Sequence, residues 1–249
     1  MNAPIVLVTG GSRGIGAATA LLAAQRGFSV AISYVRQAEA ADAVVRRIES
    51  EGGRAIAVQA DVGDSEQIAA LYDEVDARLG RISALVNNAG IVDITARLDE
   101  MSVERIERMM RVNVVGAFVC AREAVTRMST RHGGTGGVIV NLSSAAARIG
   151  SPGQYIDYAA SKGAIDTLTT GLAKEVAEEG IRVNGVRPGL IDTEIHASGG
   201  DRDRAHRLAP TVPMKRIGTA QEIAHAVVWL MSPEAGYVTG ATIDVTGGR

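Results

Sequence analysis

Several residue types are scarce in this chain, and each scarcity closes off a class of function. Its single cysteine, Cys120, cannot form an internal disulfide, which points to a reducing compartment and makes the cytoplasm the expected location. Aromatic residues make up 3% of the chain, too few for a platform on which nucleic-acid bases could stack. A formal net charge of −2 argues against the concentrated basic surface that nucleic acid requires. No apolar run reaches the roughly 18 residues of a membrane span. The N-terminal MNAPIVLVTGG has no basic start and enters a strand-like run at once, so no signal peptide is expected. No metal site, nucleic-acid partner or membrane partner is expected.

Apolar residues, by contrast, are plentiful. At 46% of 249 residues they suffice for a sizeable α/β core. Short β-branched runs at 5–8, 29–34, 54–59, 83–87, 138–142, 181–186 and 241–245 predict strands. Helices are predicted over 14–26, 39–50, 65–79, 102–130, 155–178 and 221–231, with Gly180 as a cap and 188–218 irregular. This alternation predicts crossover units, a parallel sheet and helices on both its faces. With no linker, repeat or low-complexity tract, 1–249 reads as one domain. In such a sheet, ligands bind beyond the carboxyl ends of the strands, which gathers the turns after Val8, Tyr34, Gln59, Asn87, Leu142 and Val186 around one crevice.

The first of those turns is Thr9-Gly10-Gly11-Ser12-Arg13-Gly14-Ile15-Gly16. Its glycines let backbone N–H groups approach a phosphate at a helix N-terminus. A P-loop is ruled out because Ala17-Ala18 stands where Lys-Ser/Thr is needed. Gly10–Gly14 also matches the G-x-S-x-G elbow of serine hydrolases, with Ser12 as nucleophile. That elbow normally follows several strands, and His132, His196, His206 and His225 fall in no recognisable triad. The remaining readings are a dinucleotide-binding turn, with glycines at 10, 14 and 16, and a purely structural turn. At the end of the second strand, Ser33-Tyr34-Val35-Arg36 has no acid for ribose hydroxyls, while Arg13 and Arg36 are suited to a 2′-phosphate. NADP is therefore the expected cofactor, with NAD possible. Further along, Tyr158 and Lys162 are four apart and share one face of a predicted helix. A neighbouring ammonium favours a phenolate and so lowers a phenol's pKa.

Taken together, these segments resemble the short-chain dehydrogenase/reductase family, in the branch of 3-oxoacyl-ACP reductases and glucose 1-dehydrogenases. The resemblance rests on TGGSRGIG at 9–16, Asp61-Val62, Asn87-Asn88-Ala89-Gly90, Asn113, Ser143-Ser144, Tyr158-x-x-x-Lys162 and Arg187-Pro188-Gly189. It implies one Rossmann-type domain of doubly wound parallel sheet, with about seven strands. It also implies a homotetramer in which the helices near 102–130 and 155–178 form dimers. The activity implied is NAD(P)-dependent interconversion of a secondary alcohol and a ketone, the substrate being oxoacyl, sugar or small ketone. Tyr158 would be the acid/base, Lys162 would lower its pKa and hold the nicotinamide ribose, and Asn113 would support a water relay to Lys162.

The family's serine is the second of its pair, which assigns Ser144. Ser144 precedes Tyr158 by 14 residues, one more than is usual, and this places an extra residue within 150–157. Gly10, Ser12, Arg13, Gly14, Ile15, Gly16, Tyr34 and Arg36 would contact the cofactor. So would Asp61 and Val62 at the adenine, Asn88, Ala89 and Gly90 beneath the ribose, and Pro188, Gly189, Ile191 and Thr193 near the nicotinamide. Glu178-Glu179 stands where acyl-carrier-protein reductases often carry a basic residue. The segment 193–218 is expected to form a substrate lid, with His196 a candidate to face the substrate. A family member that binds dinucleotide without turnover, as a sensor or scaffold, is the other expectation; such members usually lack the Tyr or the Lys.

Overall fold

The computed structural model describes residues 3–194, 199–201 and 203–249. Seven strands, β1 (Ile5–Val8), β2 (Ser29–Tyr34), β3 (Ala55–Gln59), β4 (Ala84–Asn87), β5 (Gly137–Leu142), β6 (Ile181–Pro188) and β7 (Thr242–Val245), form one sheet in the order β3-β2-β1-β4-β5-β6-β7. All six pairings are parallel. The chain winds outward from β1 to β3, then returns to place β4 on the other side of β1. The β1/β4 boundary is thus the switch point at which such sheets leave a crevice.

The central strands β1 and β4 are almost wholly apolar and fully buried because both faces of the sheet are covered. In β1, Val6 and Val8 pack on one face with Ala20 and Ala23 of α1 (Gly14–Gln25), Val44 and Ile48 of α2 (Ala38–Ser50) and Ile223 and Val227 of a late helix. Ile5 and Leu7 pack on the other with Ile68, Leu71 and Tyr72 of α3 (Ser65–Arg78). Cys120 and Ala124 also join that second layer, which leaves the lone thiol buried and its pKa pushed by burial up to about 12. Asp64 caps α3 by accepting from the N–H groups of Glu66 (2.9 Å) and Gln67 (3.3 Å).

Of the helices that shape the site, one is broken where the sequence predicts continuity, one is unforeseen and one is as expected. The helix expected over 102–130 is α4 (Val103–Met110), a π-helical segment Arg111–Val115, and α5 (Gly116–Met128). Asn113 lies inside the wide turn. Its short amide competes for backbone partners in a run of β-branched valines, a poor sequence for a regular helix interior. A short helix not foreseen, α6 (Ala146–Ile149), follows β5. The helix expected over 155–178 is α7 (Ile156–Val176), continued by a 3₁₀ turn, Ala177–Glu179, that ends at Gly180 with φ 77°.

The stretch expected to be irregular contains α8 (Arg204–Leu208) and a bridge between Ile191 and Gly218. Most of the segment 193–218 is described, but residues 195–198 and 202, including the candidate His196, lie outside the described residues. The last helix, α9 (Ala220–Met231), opens with Thr219 and Glu222 capping one another reciprocally. No helix among the described residues is long and apolar enough to cross a membrane.

Candidate active site

The glycine turn between β1 and α1 is shaped by close packing. A side chain at Gly16 would overlap the carbonyl oxygen of Gly10 and stand 2.7 Å from Asn88 Nδ2. Gly10, at φ 65°, brings its Cα region against Ala89, where an added Cβ would lie 3.1 Å from the Ala89 Cα. Asn88 fastens the two turns together by donating from Nδ2 to the carbonyls of Thr9 (2.8 Å) and Gly10 (3.1 Å). Thr9 Oγ1 in turn accepts from the N–H groups of Asn88 and Ala89, both at 3.0 Å. Ser12 is half-buried in this turn, and Arg13 is exposed at the start of α1. At the edge beyond β2, Tyr34 is half-buried and Arg36 exposed. Asp61 follows β3, its Oδ1 accepting from the Gly63 N–H at 2.8 Å, with Val62 buried beside it.

On the other side of the switch point stand Ser144, Tyr158 and Lys162, which line one crevice with Ile15, Asn88, Gly90, Pro188, Gly189, Ile191 and Thr193. Lys162 is 5% exposed and its Nζ donates to the Leu142 carbonyl at 2.7 Å. Its ammonium lies 5.7 Å from the centre of the Tyr158 ring. Burial brings the Lys162 pKa down to about 8, opposed only by the charge of Asp166. Burial lifts the Tyr158 phenol above its ordinary value, and the hydrogen bond from Ser144 is what opposes that rise. The sequence expectation that Lys162 lowers the Tyr158 pKa is therefore corrected for the protein groups by themselves. Burial of the phenol is the larger cause and the Ser144 hydrogen bond the only opposing one, so the ammonium does not set the direction of the shift.

The two serines divide cleanly. Ser143 is buried and its hydroxyl donates to the Lys162 carbonyl at 3.1 Å, tying β5 to α7. Ser144 keeps its hydroxyl on the crevice, bonded to Tyr158 and accepting from the Ala146 N–H at 3.1 Å. Ahead of α7, where the sequence spacing suggests an added residue, the chain turns with Gly150 at φ 71°, Ser151 at 45° and Gly153 at 67°. Ser151 is strained in this left-handed region, and it borders the same crevice.

Asn113 lies buried in the π-helical segment, one turn from the end of α4. Its amide is spent on Ile91, donating to the carbonyl at 2.9 Å while Oδ1 accepts from the N–H at 2.8 Å, and it also donates to Ser161 Oγ at 3.1 Å. The side chain therefore fixes the turn after β4 to the π-helical segment and α7. A Cβ at Gly90 would lie in ordinary van der Waals contact, 3.4 Å from Asn113 Oδ1 and 3.5 Å from Lys162 Nζ. Arg187 braces the opposite wall, pairing with Asp166 at 2.9 Å and Asp244 at 3.3 Å. No histidine lines the crevice among the described residues, so the G-x-S-x-G reading of Ser12 finds no base there.

A family model described as enoyl-(acyl carrier protein) reductase matches residues 10–249. The uncharacterized oxidoreductase YgfF of Escherichia coli (strain K12) is 55% identical over 245 residues, covering 98% of this chain and 99% of that one. The chain belongs to the short-chain dehydrogenase/reductase family. A 3-oxoacyl-[acyl-carrier-protein] reductase of Synechocystis sp. is 38% identical, with 100% of this chain and 97% of that one covered, in the branch the sequence resembles. Among solved structures, a short chain dehydrogenase from Burkholderia cenocepacia J2315 in complex with NADP superposes with a TM-score of 0.90 at 36% identity, covering 99% and 98% of the two chains. As a short-chain dehydrogenase/reductase, the chain is an oxidoreductase of the CH–OH class.

Several residues of the site carry no motif that sequence reading could find. Asp157, just before Tyr158, accepts from Arg105 of α4 through both carboxylate oxygens (2.8 and 3.3 Å) and from the Tyr158 N–H (2.9 Å). Arg105 also donates to the Ile94 carbonyl at 2.7 Å. Tyr155 is buried in the crevice wall, its hydroxyl accepting from Thr95 at 3.2 Å. Arg204 reaches the crevice from α8. The Arg105–Asp157 and Thr95–Tyr155 contacts join residues 52 and 60 positions apart, and one chain's sequence gives no signal for such pairings.

Proposed function

We propose that the chain is an NADP(H)-dependent oxidoreductase that interconverts a secondary alcohol and a ketone, with Tyr158 as the acid/base. The observation that carries this reading is the meeting of Tyr158, Ser144 and Lys162 in one crevice beside the glycine turn. The glycine turn fits a dinucleotide: Gly10 and Gly16, where a Cβ would strike Ala89, Asn88 or the Gly10 carbonyl, let the turn fold tightly at the N-terminus of α1, where phosphate binds. Gly10, Ser12, Gly14, Ile15 and Gly16 would hold the pyrophosphate, and Asp61 and Val62 the adenine. Asn88, Ala89 and Gly90 would lie beneath the ribose, with Pro188, Gly189, Ile191 and Thr193 beside the nicotinamide. Exposed Arg13 and Arg36, with Tyr34 and no carboxylate at the end of β2, favour NADP over NAD, in line with the NADP-bound relative.

When bound, the nicotinamide supplies or accepts hydride. Tyr158 gives its phenolic proton to the oxygen formed on reduction and takes one back on oxidation. Burial keeps the phenol protonated at neutral pH, which suits reduction. Ser144 donates a second hydrogen bond to that oxygen as charge develops. Lys162, held by Leu142, keeps a positive charge within reach of the phenolate. Asn113 acts through the Gly90–Ile91 turn, which it holds against Lys162. The segment 193–218 serves as a lid, and the apolar Val103, Val115, Phe118 and Ile156, exposed on α4, the π-helical segment, α5 and α7, suit a homotetramer.

An NADPH absorbance screen across ketones, oxoacyl thioesters, sugars and quinones tests the reading. NADPH loss with a carbonyl compound, at a Michaelis constant for NADP below that for NAD, is expected. Tight NADPH binding with no turnover of any compound would favour a sensor or scaffold.

A further inference from the structure

Beyond Tyr158 the crevice ends in positive charge. Among the described residues lining it, three are cationic, Lys162, Arg204 and Arg249, and none is a carboxylate. Lys162 is occupied with Leu142. Among the described residues Arg204 is held without an acid: its guanidinium stacks over the Tyr155 ring at 5.2 Å and donates to Gln154 Oε1 at 2.6 Å. Of the five N–H donors a guanidinium carries, only one meets a side-chain acceptor among the described residues. Three residues on, Arg207 is by contrast neutralised by Asp201.

Arg249, though exposed, also lines the crevice, and its pKa is lowered by partial desolvation and then by the like charge of Arg204. Two guanidiniums that line one crevice with no Asp or Glu side chain among its described residues repel one another, and an oxyanion bound beside them relieves that repulsion. The stacked, tethered planar fork of Arg204 matches the geometry of a carboxylate.

We propose that Arg204 and Arg249 form a carboxylate-binding end of the substrate pocket, so that the alcohol or ketone turned over at Tyr158 carries a carboxylate away from its reacting carbon. This rests on the oxidoreductase reading for the reacting end. The glycine turn, where phosphates would sit, is built from β1, α1 and Asn88 and is separate from the Gln154–Tyr155 wall that holds Arg204.

Calorimetric titration of the NADPH-saturated protein with hexanoate and with hexanamide tests the charge without requiring turnover. Hexanoate is expected to bind at least tenfold more tightly, on the scale of one charge-assisted bond. Arg204→Gln should abolish that preference, Arg204→Lys should keep part of it, and both variants should bind NADPH as the parent does. Equal affinities, hexanoate failing to bind, or a preference that survives in the Arg204→Gln, Arg249→Gln double variant would overturn the proposal. Failure of the oxidoreductase reading is seen separately, as NADPH that no carbonyl compound consumes.

Discussion

Ser143 and Ser144 are neighbours in sequence with opposite duties, and the difference follows from strand geometry. At the end of β5, successive side chains point to opposite sides, so one hydroxyl turns to the Lys162 carbonyl and the next to the crevice. Ser144→Ala should lower turnover by about 10²–10³-fold, as loss of one oxyanion donor does, while Ser143→Ala should keep turnover and lose about 1 kcal/mol of stability. Steady-state rates and urea melts of both variants check this, and the reverse pattern would reassign the pair. Lys162 makes a further prediction. Its folded pKa of about 8 lies below the roughly 10.4 of an unfolded lysine, so in that interval the unfolded chain binds the extra proton. The contribution of Lys162 to stability should therefore rise with pH between about 8 and 10, by up to about 1.4 kcal/mol per unit. Below pH 8 the full cost of burying the charge is present. Comparing urea melts of the cofactor-free protein and Lys162→Met at pH 7 and 9.5 should show the variant losing that slope; parallel profiles would contradict it.

At the scale of elements, α7 carries the reacting residues, and α4 holds its first turn. The Arg105–Asp157 pair is nearly sealed from water, the two side chains 10% and 0% exposed. Removing one partner leaves a buried charge, so Arg105→Ala should cost about 3–5 kcal/mol. Arg105→Met with Asp157→Leu should recover much of that loss. A single-variant loss under about 1 kcal/mol would place the pair with ordinary surface bridges. The sequence announces α7 through its spacing and its glycine stop, because helical periodicity and the left-handed cap at Gly180 are local properties. It does not announce the Arg105 clamp or the wide turn at Asn113. Both depend on partners, Asp157 and Ile91, that only the folded chain brings near. The short helix α6 escaped for a related reason, since Ala146–Ile149 is too brief to show a period.

At the scale of the molecule, the sheet order does the assembling. Crossing back from β3 to β4 opens the boundary beside β1, and the turns after β1, β4, β5 and β6 converge there. That convergence was legible in the sequence, because continuous apolar strands between helical stretches fix a parallel sheet and hence one functional edge. The chemical tuning was less so. Spacing pairs Tyr158 with Lys162, but burial depth decides their proton affinities, and depth is a property of the packed whole. The central claim is that the phenol of Tyr158 moves the proton that accompanies hydride transfer. Tyr158→Phe removes one oxygen atom from a ring whose surroundings it leaves in place. Its NADPH-dependent turnover of the best carbonyl substrate, measured beside its NADPH dissociation constant, is the most direct test. Turnover should fall by about 10²–10⁴-fold or more with NADPH affinity within about threefold of the parent's, on the scale of a side-chain change that leaves the dinucleotide contacts intact. Turnover equal to the parent's would contradict the account.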